Sequence, residues 1–90
     1  MRRMALDHDE FIRCLQPLLQ DHSWESDGNR IRIGTERGDI AIRLHPTGFR
    51  SLGSLRLPQT LVEIDLRALT DAAAADFLAR FDRVFQRGGG

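Results

Sequence analysis

Lysine and tyrosine are missing from this chain, and cysteine and tryptophan each occur once. A lone thiol, Cys14, cannot close an internal disulfide, so the fold has no covalent staple and suits a reducing compartment. No window approaches the ~18 consecutive apolar residues that a bilayer-spanning helix needs. Met1-Arg2-Arg3 is positive, but Asp7, Asp9 and Glu10 follow at once where an export signal would place an apolar run. These absences predict a cytoplasmic location and no membrane partner.

Neither sign of charge is in excess. Thirteen basic residues, all arginine, face 13 acidic ones, so the formal net charge is zero. No overall pull toward nucleic acid or an anionic membrane follows, and any such affinity has to come from a local patch. The use of arginine alone fits a bias in genome composition. The chain also lacks GxSxG, a P-loop and GxGxxG, and its carboxylates are scattered, so no catalytic activity and no cofactor are expected. His8, Cys14, His22 and His45 are metal-ligand types, but their intervals match no finger, ribbon or HExxH pattern. No metal site is expected.

What is present is periodicity. In Asn29 to His45, Ile31 and Ile33 alternate with Arg30 and Arg32, and Ile40, Ile42 and Leu44 alternate with Ala41 and Arg43. A period of two puts the aliphatic side chains on one face of a hairpin and the arginines on the other. Gly34 and Gly38 in the intervening loop favour a bulged connection over a two-residue turn. Val62, Ile64 and Leu66 alternate with Glu63 and Asp65 in a further strand. Phe49 to Leu57 is less regular. Leu55 and Leu57 share a parity, Leu52 has the opposite one, and Gly53 at the phase change marks a bulge. Pro58-Gln59 reads as a turn, and His22 to Gly28 as a connector with Trp24 as a lid on the core edge.

Both ends carry helical stripes. Phe11, Cys14, Leu15, Leu18, Leu19 and His22 recur at offsets of three and four. They predict one kinked helix over Asp9 to Asp21, capped by Asp7 or Asp9 and bent at Pro17, with interruption at Gln16 as the alternative. Residues 1–6 read as a frayed leader. Thr70 to Arg87 is the clearest helix, with Thr70 as N-cap, four alanines, and Phe77, Phe81 and Phe85 on one stripe. Gly88 is its stop, and 88–90 a flexible end. The expected fold is a single α+β domain, a two-layer sandwich. An antiparallel three- to four-stranded sheet is flanked on one face by an N-terminal and a C-terminal helix.

Strand parity places Arg30, Arg32, Arg43 and Arg56 together on the uncovered face, opposed by Glu63 and Asp65. These four arginines are the candidate site for an anion, a nucleic acid or an acidic partner. No aromatic residue is interleaved for base stacking. The expected α-β-β-β-α order is loosely similar to the double-stranded-RNA-binding domain. That family presents a basic cluster at the start of its second helix, where this chain reads Thr70-Asp71-Ala72-Ala73-Ala74-Ala75-Asp76, which is acidic. The resemblance therefore implies topology without the phosphate contacts. Arg87-Gly88-Gly89-Gly90 resembles the Gly-Gly tail of ubiquitin-like modifiers and sulfur carriers, which implies activation of the terminal carboxylate, although here the tail leaves a helix.

The leading expectation is a small non-catalytic protein-interaction module, acting on a protein partner or as a homodimer through a sheet edge or the arginine face. Binding of an anionic ligand or nucleic acid through that face is the alternative, and the Gly-Gly carrier a third.

Overall fold

A computed structural model describes residues 2–20 and 22–87. The order is β1 (Arg2–Met4), α1 (His8–Leu19), β2 (Ser23–Asp27), β3 (Arg30–Thr35), β4 (Gly38–Leu44), β5 (Gly48–Leu52), β6 (Leu55–Asp65) and α2 (Asp71–Arg87). All the pairings are antiparallel, and the sheet runs β1-β6-β4-β3-β2 with β5 added to β6. The α+β architecture with two flanking helices holds. Among the described residues the strand count is six, above the three to four expected.

The core follows from the alternation. Ile31, Ile33, Ile40, Ile42, Leu44 and Val62 are buried on one sheet face, against Phe11, Leu15 and Leu19 of α1 and Phe81 of α2. Phe11 stacks on Phe85 at 5.0 Å between centroids and meets Phe81 at 6.1 Å. Helix α1 begins where Asp7 accepts a hydrogen bond from the Glu10 amide at 2.9 Å. It runs unbroken through Pro17 to Leu19. The expected last residue, Asp21, lies outside the described residues. Helix α2 starts as its sequence dictates, with the Thr70 hydroxyl accepting from the Ala73 amide at 3.2 Å. The tail 88–90 also lies outside the described residues.

Two strands replace expected irregular segments. The leader expectation for 1–6 is corrected at Arg2–Met4, which pairs with Thr60 to Val62. Arg2 also bonds Asp82 of α2 at 2.8 Å. The connector expectation for 22–28 is corrected at Ser23–Asp27, which pairs with β3. Every residue of β2 is exposed, so no apolar alternation marks it in the sequence. Trp24 occupies the edge position opposite Ile33 and stays 40% exposed. With these additions the α-β-β-β-α order that prompted the double-stranded-RNA-binding likeness is not the observed order.

The connections decide the registers. Between β3 and β4, Thr35 pairs with Gly38 and only Glu36 and Arg37 intervene, so the loop is two residues long. Gly38 takes φ of 135° and packs under the Ala68 carbonyl. Between β5 and β6, Leu52 pairs with Leu55 across Gly53 and Ser54. Gly53 takes φ of 61°, which suits the first loop position of a type II′ turn. The phase change at Gly53 is therefore a hairpin turn, which makes residues three apart share a face. Pro58 and Gln59, expected as a turn, lie inside β6. The bulge lies upstream. Leu44 pairs with Val62 and Gly48 with Gln59, so His45, Pro46 and Thr47 face only Leu61 and Thr60.

Candidate functional site

The distal half of the long β4/β5–β6 ribbon leaves the sheet. Beyond Thr60, β6 pairs only with β5, and among the described residues no third strand flanks either one. All of β5 and the first three residues of β6 are exposed. The result is a two-stranded arm about 17 Å long from Gly48 to Leu52, at 3.3 Å per residue. A two-stranded ribbon with no apolar cover is marginal in water, so this one depends on its base.

That base is a clasp of buried and half-buried polar groups. The Thr60 hydroxyl, 1% exposed, donates to the Leu6 carbonyl at 2.6 Å and lies 3.0 Å from the Thr47 hydroxyl. His8 Nε2 donates to the His45 carbonyl at 2.7 Å. His45 Nε2 in turn donates to Glu63 Oε1 at 2.8 Å. Leu6 and the first residue of α1 thus hold the two strands where they leave the sheet.

The arm is apolar where water should make it polar. Phe49 is 59% exposed, Leu52 51%, Leu55 62% and Leu57 40%. Cross-strand pairing puts Arg50, Leu52, Leu55 and Leu57 on one face and Phe49, Ser51, Arg56 and Pro58 on the other. The Arg56 guanidinium lies over the Phe49 ring, 4.7 Å from its centroid. Both faces therefore present apolar side chains beside an arginine.

Of the four arginines picked out in the sequence, the structure brings three together. Arg30, Arg32 and Arg43 line a shallow groove on the open sheet face. Arg56 is on the arm, on the strand parity of Thr60 and Val62, and does not join them. The groove also holds Arg67 and four acids, Glu25, Asp27, Glu63 and Asp65, so four cations meet four anions. Two of the acids come from β2, the strand that was not legible. Arg67 binds Asp65 through both carboxylate oxygens, at 3.0 and 2.8 Å. Side-chain and then backbone hydrogen bonds from Arg67 hold the Asp65 carboxyl below its ordinary pKa, and the same pair raises that of Arg67. Arg32 reaches Glu25 at 4.0 Å. Arg30 and Arg43 stand directly opposite each other, and among the described residues neither has a carboxylate within 4 Å.

A second concavity of about 380 Å³ lies between the end of α1, the β3–β4 turn and α2. Leu18, Ile40, Leu69 and Phe77 floor it. On its charged rim Asp76 lies 3.5 Å from Arg37 and 3.6 Å from Arg80.

The sequence reading missed Phe49, Leu52, Leu55 and Leu57 as functional candidates. The signal was there: from Pro46 to Val62 there is no Asp or Glu, which sets that stretch apart in a chain of balanced charge. No helix among the described residues is long and apolar enough to cross a membrane. No protein-family model matches this chain, and no curated protein or solved structure is significantly similar to it.

Proposed function

We propose that this chain is a small non-catalytic interaction module that docks through the β5–β6 arm. One observation carries the reading: four large apolar side chains lie exposed on a projecting ribbon that the core does not cover. Singly scattered exposed apolar residues are ordinary, but a contiguous set on one element marks a contact surface. The open edge of β5 adds unpaired backbone groups, so strand addition by a partner or by a second copy in a homodimer is one form this docking can take.

A photo-crosslinking residue placed at Leu55 and, separately, at Arg32 tests the reading in cells. The expected result is adducts from position 55 and none from position 32. Adducts from position 32 alone, or from neither, refute it.

The alternative, anion or nucleic-acid binding on the open face, has the Arg30–Arg43 pair in its favour. Two cations directly opposite repel, and an anion between them would relieve that. The four acids lining the same groove oppose it. Labelled RNA and DNA titrated at low salt decide the matter, because phosphate neutralisation gives steep salt dependence.

A further inference from the structure

We propose that the surface onto which the arm docks is an anionic lipid bilayer, with the Leu52–Leu55 turn inserted at its interface. The inference rests on the arm being the docking element. It adds the chemistry of the partner.

Charge gives the first argument. The arm carries Arg50 and Arg56 and no acid, so residues 48–59 have a charge of +2. The whole chain sums to zero, which leaves −2 on the remainder. An anionic surface therefore attracts the arm and repels the body. That combination orients the molecule tip first. A second copy laid arm on arm fits less well, because that gathers four arginines with no carboxylate among them.

Shape gives the second. Leucines occupy one face of the ribbon and Phe49 the other, so apolar surface runs round the arm. A protein surface covers one face of such a ribbon. The interfacial layer of a bilayer surrounds both. Depth is limited by the backbone. The outer edges of β5 and of distal β6 are unpaired among the described residues, and hydrocarbon does not tolerate free N–H and C=O groups. Insertion stops near the boundary of headgroups and acyl chains, about 5–10 Å deep. That depth takes in the Leu52–Leu55 turn. Arg50 and Arg56, one or two residues behind it, then lie at phosphate level, their stems along the apolar layer.

Each arginine held near an anionic leaflet strengthens binding about fivefold, so two give about thirtyfold. The test is flotation of the full chain with phosphatidylcholine vesicles, pure or containing about 30% phosphatidylserine, a composition giving the negative surface potential required. The anionic vesicles should bind about thirtyfold more tightly. Substituting R50Q with R56Q should remove that preference. Substituting L52S with L55S should abolish flotation on both. All four side chains are exposed, so both variants should melt as the wild type does. A wild-type chain that floats with neither vesicle overturns the lipid proposal. In that event, a dimer by light scattering that L52S with L55S converts to a monomer keeps the arm as docking element and makes its partner a second copy. Flotation that survives both variants overturns the arm reading as well.

Discussion

Replacing Gly38 by alanine tests the packing that joins the β3–β4 turn to the segment before α2. A Cβ on Gly38 would lie 2.6 Å from the Ala68 carbonyl oxygen and 3.0 Å from its carbon. Both are backbone atoms, so relief needs movement of the chain. The φ of 135° adds a second penalty, because an L-residue rarely adopts it. Backbone strain of this kind costs about 1–3 kcal/mol. Forced overpacking costs about the same again. Against this, replacing glycine reduces the entropy of the unfolded chain and returns about 0.4–1 kcal/mol. The net cost is about 1–5 kcal/mol, with a midpoint near 3. A chain of this size has about 5–13 kcal/mol of total stability, so the loss is a large share of it. The control is Gly28→Ala. Gly28 also has positive φ, at 62°, but nothing lies within 4 Å of its Cβ position. Only the left-handed conformation is penalised there, and the net cost is about 1 kcal/mol. Urea denaturation of the three proteins measures both values. If Gly38→Ala and Gly28→Ala agree within about 0.5 kcal/mol, the error of such comparisons, the close approach to Ala68 is not the determinant and the reasoning fails.

The clasp at the base of the arm predicts that Thr60→Val, though close in shape, costs about 1–3 kcal/mol by leaving the Leu6 carbonyl without its donor. Thr60→Ser, which keeps the hydroxyl, should cost less in the same urea titration. Phe81→Ala should cost about 3–5 kcal/mol, because Phe81 is fully buried. Phe49→Ala, exposed on the arm, should stay within about 0.5 kcal/mol by thermal melting. The depressed Asp65 pKa makes the folded state bind that proton less readily than the unfolded chain does. Its contribution to stability is therefore complete above the unfolded value, about 3.9, and is lost as pH falls through the lower native one. Arg67→Gln should raise the Asp65 midpoint toward the ordinary value in a carboxyl-carbon NMR titration, and an unmoved midpoint would show that Arg67 is not the cause.

How much could be read in advance depended on whether a segment buries a face. Helix α2 declared itself through Thr70 and the phenylalanine stripe, because capping and a stripe packed against the core both leave marks in the sequence. Ile31, Ile33, Ile40 and Ile42 did so through alternation. Strands β1 and β2 left none. Arg2–Met4 is too short to show a period, and Ser23–Asp27 buries nothing, so only backbone pairing makes them strands. Missing β2 had a consequence for the candidate site. Without Glu25 and Asp27 the open face counted four arginines against two acids, whereas the groove is balanced. Arg56 was misplaced for a related reason. Its place on the open face follows from parity only if Leu55 and Leu57 face the core, and exposed leucines on an uncovered ribbon alternate just as buried ones do.

The polar clasp also settles how a load on the arm is carried. His8 is the first residue of α1, and it grips the His45 carbonyl, while Leu6 is held by Thr60. The ribbon is therefore a lever with its fulcrum at Thr47 and Thr60 and its short end tied to the start of a helix. Pulling the tip loads the opening turn of α1 directly, through bonds of 2.6 and 2.7 Å. Helix α1 then passes that force to the phenylalanines it stacks against in α2. Docking of the arm, as proposed, would change the tension at His8, and the amide of Phe11, bonded to the Asp7 carbonyl, is the place to feel it by hydrogen exchange.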